Sequence, residues 1–284
     1  VNINAGTRLF ALLGDPVAHS FSPLLHNAAF RAAHLNAVYV ALRCNREDIT
    51  GLMRALARAG GGGNITVPHK QTAATALERP APTVQATGAC NVFWLEHERV
   101  HGDNTDVAGF LAAAERLTGS LRDVRALVLG AGGGARAAVY ALLERGAAHI
   151  DVWSRTPASA RALVQRLDPE QRTTHTVAAL ARLEARSVDL VVNATPLGLA
   201  LDDPLPFDLS ILRDVDAVLD MVYRPGGTAF TQHAAALGIR AADGGEMLLA
   251  QGAAAFECWF RQSAPRDAMR AAFESAAAVA RSTG

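Results

Sequence analysis

RALVLGAGGGARAAVYALLERG, residues 125–146, is the stretch on which the fold turns. The β-type run RALVL leads straight into Gly130, Gly132 and Gly133, and a helical segment follows at once. A strand that ends in a glycine turn and opens a helix is how a doubly wound α/β sheet offers backbone N–H groups to a pyrophosphate. The spacing is GxGGxA, not the commoner GxGxxG, and a glycine-rich helix start can serve structure alone. Context decides: HIDVW (149–153) is a second strand, so the turn lies inside a βαβ unit. We therefore expect Gly130, Ala131, Gly132, Gly133 and Gly134 to cradle a dinucleotide. The end of the second strand selects which one. An NAD site carries an acid there for the ribose hydroxyls. Here the strand ends in Ser154-Arg155-Thr156, and Asp151 lies near its start, where it is poorly placed for a ribose. Arg155 can pair with a 2′-phosphate, with Ser154 and Thr156 as hydroxyl donors, and Arg136 at the head of the helix can add charge. These residues point to NADP.

Toward the C-terminus, a helix is expected over 157–167 and strands at DLVVNAT (189–195) and AVLDMVY (217–223). Two apolar helices follow, about 246–263 and 267–281. Toward the N-terminus, the polar, turn-rich LTGSLRDV (117–124) marks a junction. Before it a second strand–helix series can be read: strand 8–14, helix 22–36 with Ser22 as cap and Pro23 in its first turn, strand 37–42, helix 46–59, a glycine run 60–63, strand NITV (64–67), a hairpin of 90–96 and 99–102 around His97-Glu98, and a helix from Asp106. Alternation of this kind gives an α/β protein of two α/β domains, the first with a mainly parallel sheet and the second of Rossmann type, with a cleft between them. We set the domains at 1–106 and 107–245, with 246–284 packing back on the first.

Composition narrows the function. Of 27 strong bases among 284 residues, a single one is lysine, Lys70 in NITVPHK. A chain that uses arginine for every other positive charge has kept lysine here, and lysine can exchange its proton where arginine effectively cannot. The formal net charge of +0 suggests no nucleic-acid partner. Three scattered cysteines and nine histidines without ligand spacing indicate no disulfide framework and no metal. No apolar run approaches the ~20 residues a membrane helix needs, so we expect a soluble cytoplasmic protein.

Four polar clusters lie in the first half: HSFSP (19–23), NITVPHK (64–70), ACN (89–91) and GDNTD (102–106). Alone, each has an ordinary explanation in caps and turns. Together with the glycine turn, SRT, NATPLG (193–198), DMVY (220–223) and ADGGEMLLAQ (242–251), they resemble the shikimate dehydrogenase family in order and over essentially the whole chain. The resemblance implies NADP-linked interconversion of 3-dehydroshikimate and shikimate. It implies Lys70 and Asp106 as the catalytic pair, and Ser20 and Ser22 as hydroxyls for the substrate carboxylate. Asn64, Thr66, Asn91, Asp106 and Gln251 would contact the ring substituents, with Tyr223 as a substrate-side phenol. Thr195, Met221 and Gly244 would border the cofactor. A small-molecule substrate and a monomer or homodimer go with that assignment. Some positions depart from the pattern: Ser154 replaces the usual asparagine, His69 precedes the lysine and reads as a surface residue, and Glu246 stands where glycine is usual. These keep a quinate/shikimate or aminoshikimate dehydrogenase as an alternative. A generic NADP reductase would not need the polyol-reading residues, and a non-catalytic sensor would not need Lys70 and Asp106.

Overall fold

A computed structural model describes residues 3–177, 183 and 186–282. The chain divides into two compact units, Val1–Asp106 with Leu248–Gly284, and Val107–Met247.

The first unit holds β1 (Arg8–Gly14), α1 (Ser22–Ala32), β2 (Ala37–Arg43), α2 (Ile49–Arg58), β3 (Gly62–Ile65), α3 (Lys70–Ala76), β4 (Arg79–Pro80), α4 (Pro82–Thr87), β5 (Val92–Glu96) and β6 (Arg99–Asp103). Its six-stranded sheet runs β2-β1-β3-β5-β6-β4. Pairing is parallel between β1 and β2, β1 and β3, and β4 and β6, but β5 is antiparallel to both β3 and β6. The β5–β6 pair is the expected hairpin, closed by His97 and Glu98, both at positive φ, the backbone a two-residue primed turn requires. Side chains of β1 alternate between the two faces of the sheet. Phe10 and Leu12 join Phe30, Tyr39 and Phe256 on one side, while Ala11 and Leu13 join Ile49, Met53 and Ile65 on the other.

Local expectations shift in three places. Ser22 is the first residue of α1 and not its cap, a position Phe21 takes, and α1 stops at Ala32. The strand expected at 64–67 begins inside the glycine run, because β3 threads between β1 and β5 with little room for side chains. A Cβ on Gly62 would stand 2.6 Å from the Phe93 carbonyl oxygen, and one on Gly63 would run into that of Ala11. His69 is 5% exposed, not a surface residue: its Nε2 lies 3.0 Å from the Cys44 carbonyl oxygen.

The second unit contains most of α5 (Asp106–Thr118), then β7 (Arg125–Leu129), α6 (Gly133–Glu144), β8 (His149–Trp153), α7 (Pro157–Leu167), β9 (Thr174–Thr176), β10 (Ser187–Asn193), β11 (Asp214–Asp220), α8 (Ala229–Ala236) and β12 (Arg240–Ala242). The division falls at the start of α5, ahead of the polar stretch 117–124. Every strand pair is parallel, in the order β12-β11-β10-β7-β8-β9. Strand order reverses at β7, and the crevice beyond the C-terminal ends of the strands there is where such sheets hold nucleotides. β11 ends at Asp220, so Met221 and Tyr223 lie beyond the strand expected to contain them. Two helices close the chain: α9 (Gly245–Phe260), whose residues from Leu248 on belong to the first unit, and α10 (Arg266–Ser282), which packs on α1.

Among the described residues no helix is long and apolar enough to cross a membrane.

Candidate active site

In the first unit, five of the residues singled out by sequence meet in one hydrogen-bonded group. Lys70 opens α3, and its backbone carbonyl accepts from the Cys90 N–H at 2.9 Å, tying α3 to the loop before β5. Asp106 opens α5; it is a first-turn residue and not the cap, near the positive end of the helix. Lys70 Nζ donates to Asp106 Oδ2 at 2.5 Å, with the two side chains 16% and 5% exposed. A pair this buried is costly to desolvate and holds only where the remaining valences are met.

They are met through Asn91. The Thr105 backbone N–H can only donate, and it faces Asn91 Oδ1 at 2.7 Å. That fixes the amide, so Asn91 Nδ2 must point the other way, where it donates to Asp106 Oδ1 at 2.8 Å and lies 3.4 Å from Gln251 Oε1. Asp106 therefore accepts on both oxygens, from Lys70 and from Asn91. The same logic orients Asn64. The Asn91 backbone carbonyl can only accept, so Asn64 gives it Nδ2 at 3.0 Å, and the buried Tyr39 phenol donates to Asn64 Oδ1 at 2.8 Å. Tyr39 and Thr105 escaped sequence reading: Thr105 lies within GDNTD but acts through its backbone N–H, which no side-chain pattern marks, and only the parallel pairing of β1 with β2 and β3 brings Tyr39 to Asn64.

Ser20 and Ser22 make a separate pair, with Ser20 Oγ donating to Ser22 Oγ at 3.1 Å and accepting the Ser22 N–H at 3.2 Å. Thr66 is held just past β3 by its N–H on the Leu13 carbonyl. Tyr223 is not part of this group; it belongs to the second unit.

In the second unit, Gly130 adopts φ 110°, closed to most side chains, and a Cβ there would lie 2.9 Å from the Ala194 carbonyl oxygen. Ala131 follows, half-buried against the helical core. Gly132 stands at the cap position of α6 with no side-chain cap, leaving first-turn N–H groups to a ligand, and a Cβ on it would meet nothing within 4 Å. The backbone at the head of the helix is thus open to the approach of a pyrophosphate, and these residues fit one. Gly133 begins α6, and a Cβ on Gly134 would stand 3.0 Å from Met221 Cε. Gly244 lies against Met221 as well, its N–H on the Val222 carbonyl. Ser154, Arg155 and Thr156 follow β8, the last two exposed. Asp151, the acid of that strand, is occupied elsewhere, with Arg186 Nη1 at 2.8 Å and His149 Nε2 at 3.1 Å. Thr195 donates its hydroxyl to Asn193 Oδ1 at 2.7 Å. Among the described residues no group of three or more His, Cys, Asp or Glu could hold a metal ion.

A nucleotide turn on one unit and an ammonium–carboxylate pair on the other are what a dinucleotide-dependent dehydrogenase requires. Comparison with known proteins narrows that class. Residues 12–93 match the model of the shikimate dehydrogenase substrate binding domain, 112–201 that of shikimate/quinate 5-dehydrogenase, and 244–272 that of the shikimate 5′-dehydrogenase C-terminal domain. Shikimate dehydrogenase (NADP(+)) of Salinibacter ruber is 40% identical over 285 residues, 95% of this chain and 99% of that protein. The crystal structure of shikimate dehydrogenase from Aquifex aeolicus superposes with a TM-score of 0.86 at 34% identity, covering 95% of this chain and 98% of that one. Shikimate 5-dehydrogenase from Thermus thermophilus, solved in complex with shikimate, does so with a TM-score of 0.82 at 37% identity, covering 95% and 99%. The chain belongs to the shikimate dehydrogenase family.

Proposed function

We propose that the chain interconverts 3-dehydroshikimate and shikimate with NADP, the first unit binding substrate and the second binding cofactor. The observation that carries this is the Lys70–Asp106 pair, oriented by Asn91. NADPH, when bound, supplies the hydride. As it reaches the ring carbonyl carbon, negative charge grows on oxygen, and a positioned donor must stabilise it and deliver a proton. Lys70 has three N–H protons and gives one to Asp106, so others remain for the substrate oxygen. In the oxidative direction a neutral Lys70 takes the hydroxyl proton. Asp106, held as a carboxylate, balances the ammonium charge and accepts from a substrate hydroxyl with its remaining lone pairs.

Asn64, Asn91, Thr66 and Gln251 read ring substituents. The clamped amide of Asn64 has one N–H committed to Asn91 and offers the other, so it reads a ligand oxygen as a donor. Ser20 and Ser22 hold the substrate carboxylate with neutral hydroxyls. The turn from Gly130 to Gly134 holds the pyrophosphate, and Ser154, Arg155 and Thr156 hold the 2′-phosphate. Thr195, Met221 and Gly244 border the nicotinamide. The enzyme works in the cytoplasm, as a monomer or homodimer.

The test is reduced-cofactor absorbance with shikimate, with NADP and NAD in parallel, repeated with quinate. Turnover with NADP and shikimate, weak with NAD, is expected. Preference for quinate would move the chain to the quinate branch of the family, and equal use of NAD would remove Arg155 from the 2′-phosphate.

A further inference from the structure

The DMVY segment contains a group that the chemistry above does not use. Asp220, at the C-terminal end of β11, is fully buried, and no basic side chain among the described residues pairs with it. Its Oδ1 accepts from Asn193 Nδ2 at 2.8 Å and from the Val222 N–H at 3.0 Å. Its Oδ2 accepts from the Thr228 hydroxyl at 2.6 Å. Burial pushes this carboxyl up to about 6. A buried acid without a cation is costly to keep, so its use has to be sought in geometry and not in stability.

That geometry is a latch. Asn193 ends β10; its Oδ1 accepts the N–H and the hydroxyl of Thr195, and its Nδ2 also donates to the Leu197 carbonyl at 3.1 Å. Val222 lies just past β11, beside Met221. Thr228 caps α8 by accepting the Thr231 N–H. One carboxylate therefore gathers the turn after β10, the turn after β11 and the head of α8. The first two border the glycine turn: a Cβ on Gly130 would stand 3.3 Å from Thr195 Cγ2, and one on Gly134 would stand 3.0 Å from Met221 Cε. In a sheet whose order reverses at β7, a dinucleotide lies across the strand ends, its 2′-phosphate half over β8 and its other half over β10 and β11. Arg155 is on the β8 side; everything Asp220 holds is on the opposite side.

We propose that Asp220 is the positioning residue for the nicotinamide half of the cofactor site, fixing the turns that carry Thr195 and Met221 beside the glycine turn. This rests on the NADP reading and goes beyond it. The residue does not touch the cofactor; it acts through the turns it holds.

Calorimetric binding of NADP and of 2′,5′-ADP to the full chain tests it, since the smaller ligand carries the 2′-phosphate half alone. Asp220→Ala is expected to weaken NADP by about tenfold, the scale of a lost buried hydrogen-bonded group, with 2′,5′-ADP changed by less than about twofold. Asp220→Asn is expected to recover most of the affinity. Its oxygen still serves Asn193 and Val222, and its NH2 can donate to the Thr228 hydroxyl. Equal weakening of both ligands, or unchanged NADP binding, overturns the proposal. If Asp220→Ala does not fold, Asn193→Ala cuts the same latch from the β10 side and is read against the same two outcomes. Wild-type protein that binds neither ligand would instead overturn the cofactor reading itself.

Discussion

Lys70 shows what a single residue can disclose. Its solitude in an arginine-rich chain marked it, and the fold gives it a buried carboxylate partner. Lys70→Arg keeps the charge and loses the exchangeable proton. We expect turnover to fall by at least ~100-fold, the usual scale of general acid–base help; stopped-flow or steady-state rates near wild type would remove Lys70 from that role. His26 shows what a single residue can hide. In the sequence it is one polar position on an apolar helix face. In the fold it is fully buried, with no hydrogen-bond partner for either ring nitrogen among the described residues, stacked on Tyr39 at 4.5 Å and tilted against Trp259 at 4.9 Å. Burial pushes its pKa from 6.5 down to about 3. Between those values the unfolded chain binds a proton that the folded chain refuses. Stability from neutral His26 is therefore present above pH 6.5 and drains as pH falls toward 3. We expect His26→Leu to flatten the loss of stability below pH 6.5, by an amount that approaches about 1.4 kcal/mol per unit near pH 5, read by denaturant unfolding at each pH. Parallel wild-type and variant slopes would contradict it.

At the scale of elements, the decisive case is β3. Its glycines read as a break because glycine is poor in strands. The structure makes them the condition for the strand, since β1 and β5 approach it too closely for a Cβ. Gly63→Ala would drive its methyl into the Ala11 carbonyl and the Phe93 ring. Because β3 leads directly to Thr66 and Lys70, we expect a loss of ~1–3 kcal/mol in stability together with a lower kcat. A variant with wild-type melting temperature would show that the strands part easily. Elsewhere the elements were legible where periodicity was long or punctuation strong: β1, β7, α6, β8, α7 and the hairpin of β5 and β6. Short pieces such as β4, β9 and β12 were not, since two or three residues carry no period.

At the scale of the molecule, the two units make separable predictions. Each ligand should protect the backbone of the unit proposed to bind it, because binding stabilises the state that binds. In hydrogen exchange read by mass spectrometry, shikimate alone should slow residues 8–106 and 248–282, and 2′,5′-ADP should slow 107–247. Protection by 2′,5′-ADP confined to the first unit would reverse the proposed assignment.

The sequence by itself determined the longer elements, the glycine turn and the choice of arginine over acid after β8, because these depend on local chemistry and spacing, which neighbouring residues carry. It set Lys70 apart as the single lysine, and its resemblance to the shikimate dehydrogenase family implied Asp106, Asn64, Asn91 and Gln251 beside it. Only the tertiary structure decided that those five form one hydrogen-bonded group and that the first sheet mixes directions. It alone turned the amides of Asn64 and Asn91 by the Asn91 carbonyl and the Thr105 N–H, and gave Asp220 a latch to hold. The reason is physical: the direction of a hydrogen bond and the cost of burial depend on groups dozens of residues away, and only closing the sheets brings them within hydrogen-bonding distance.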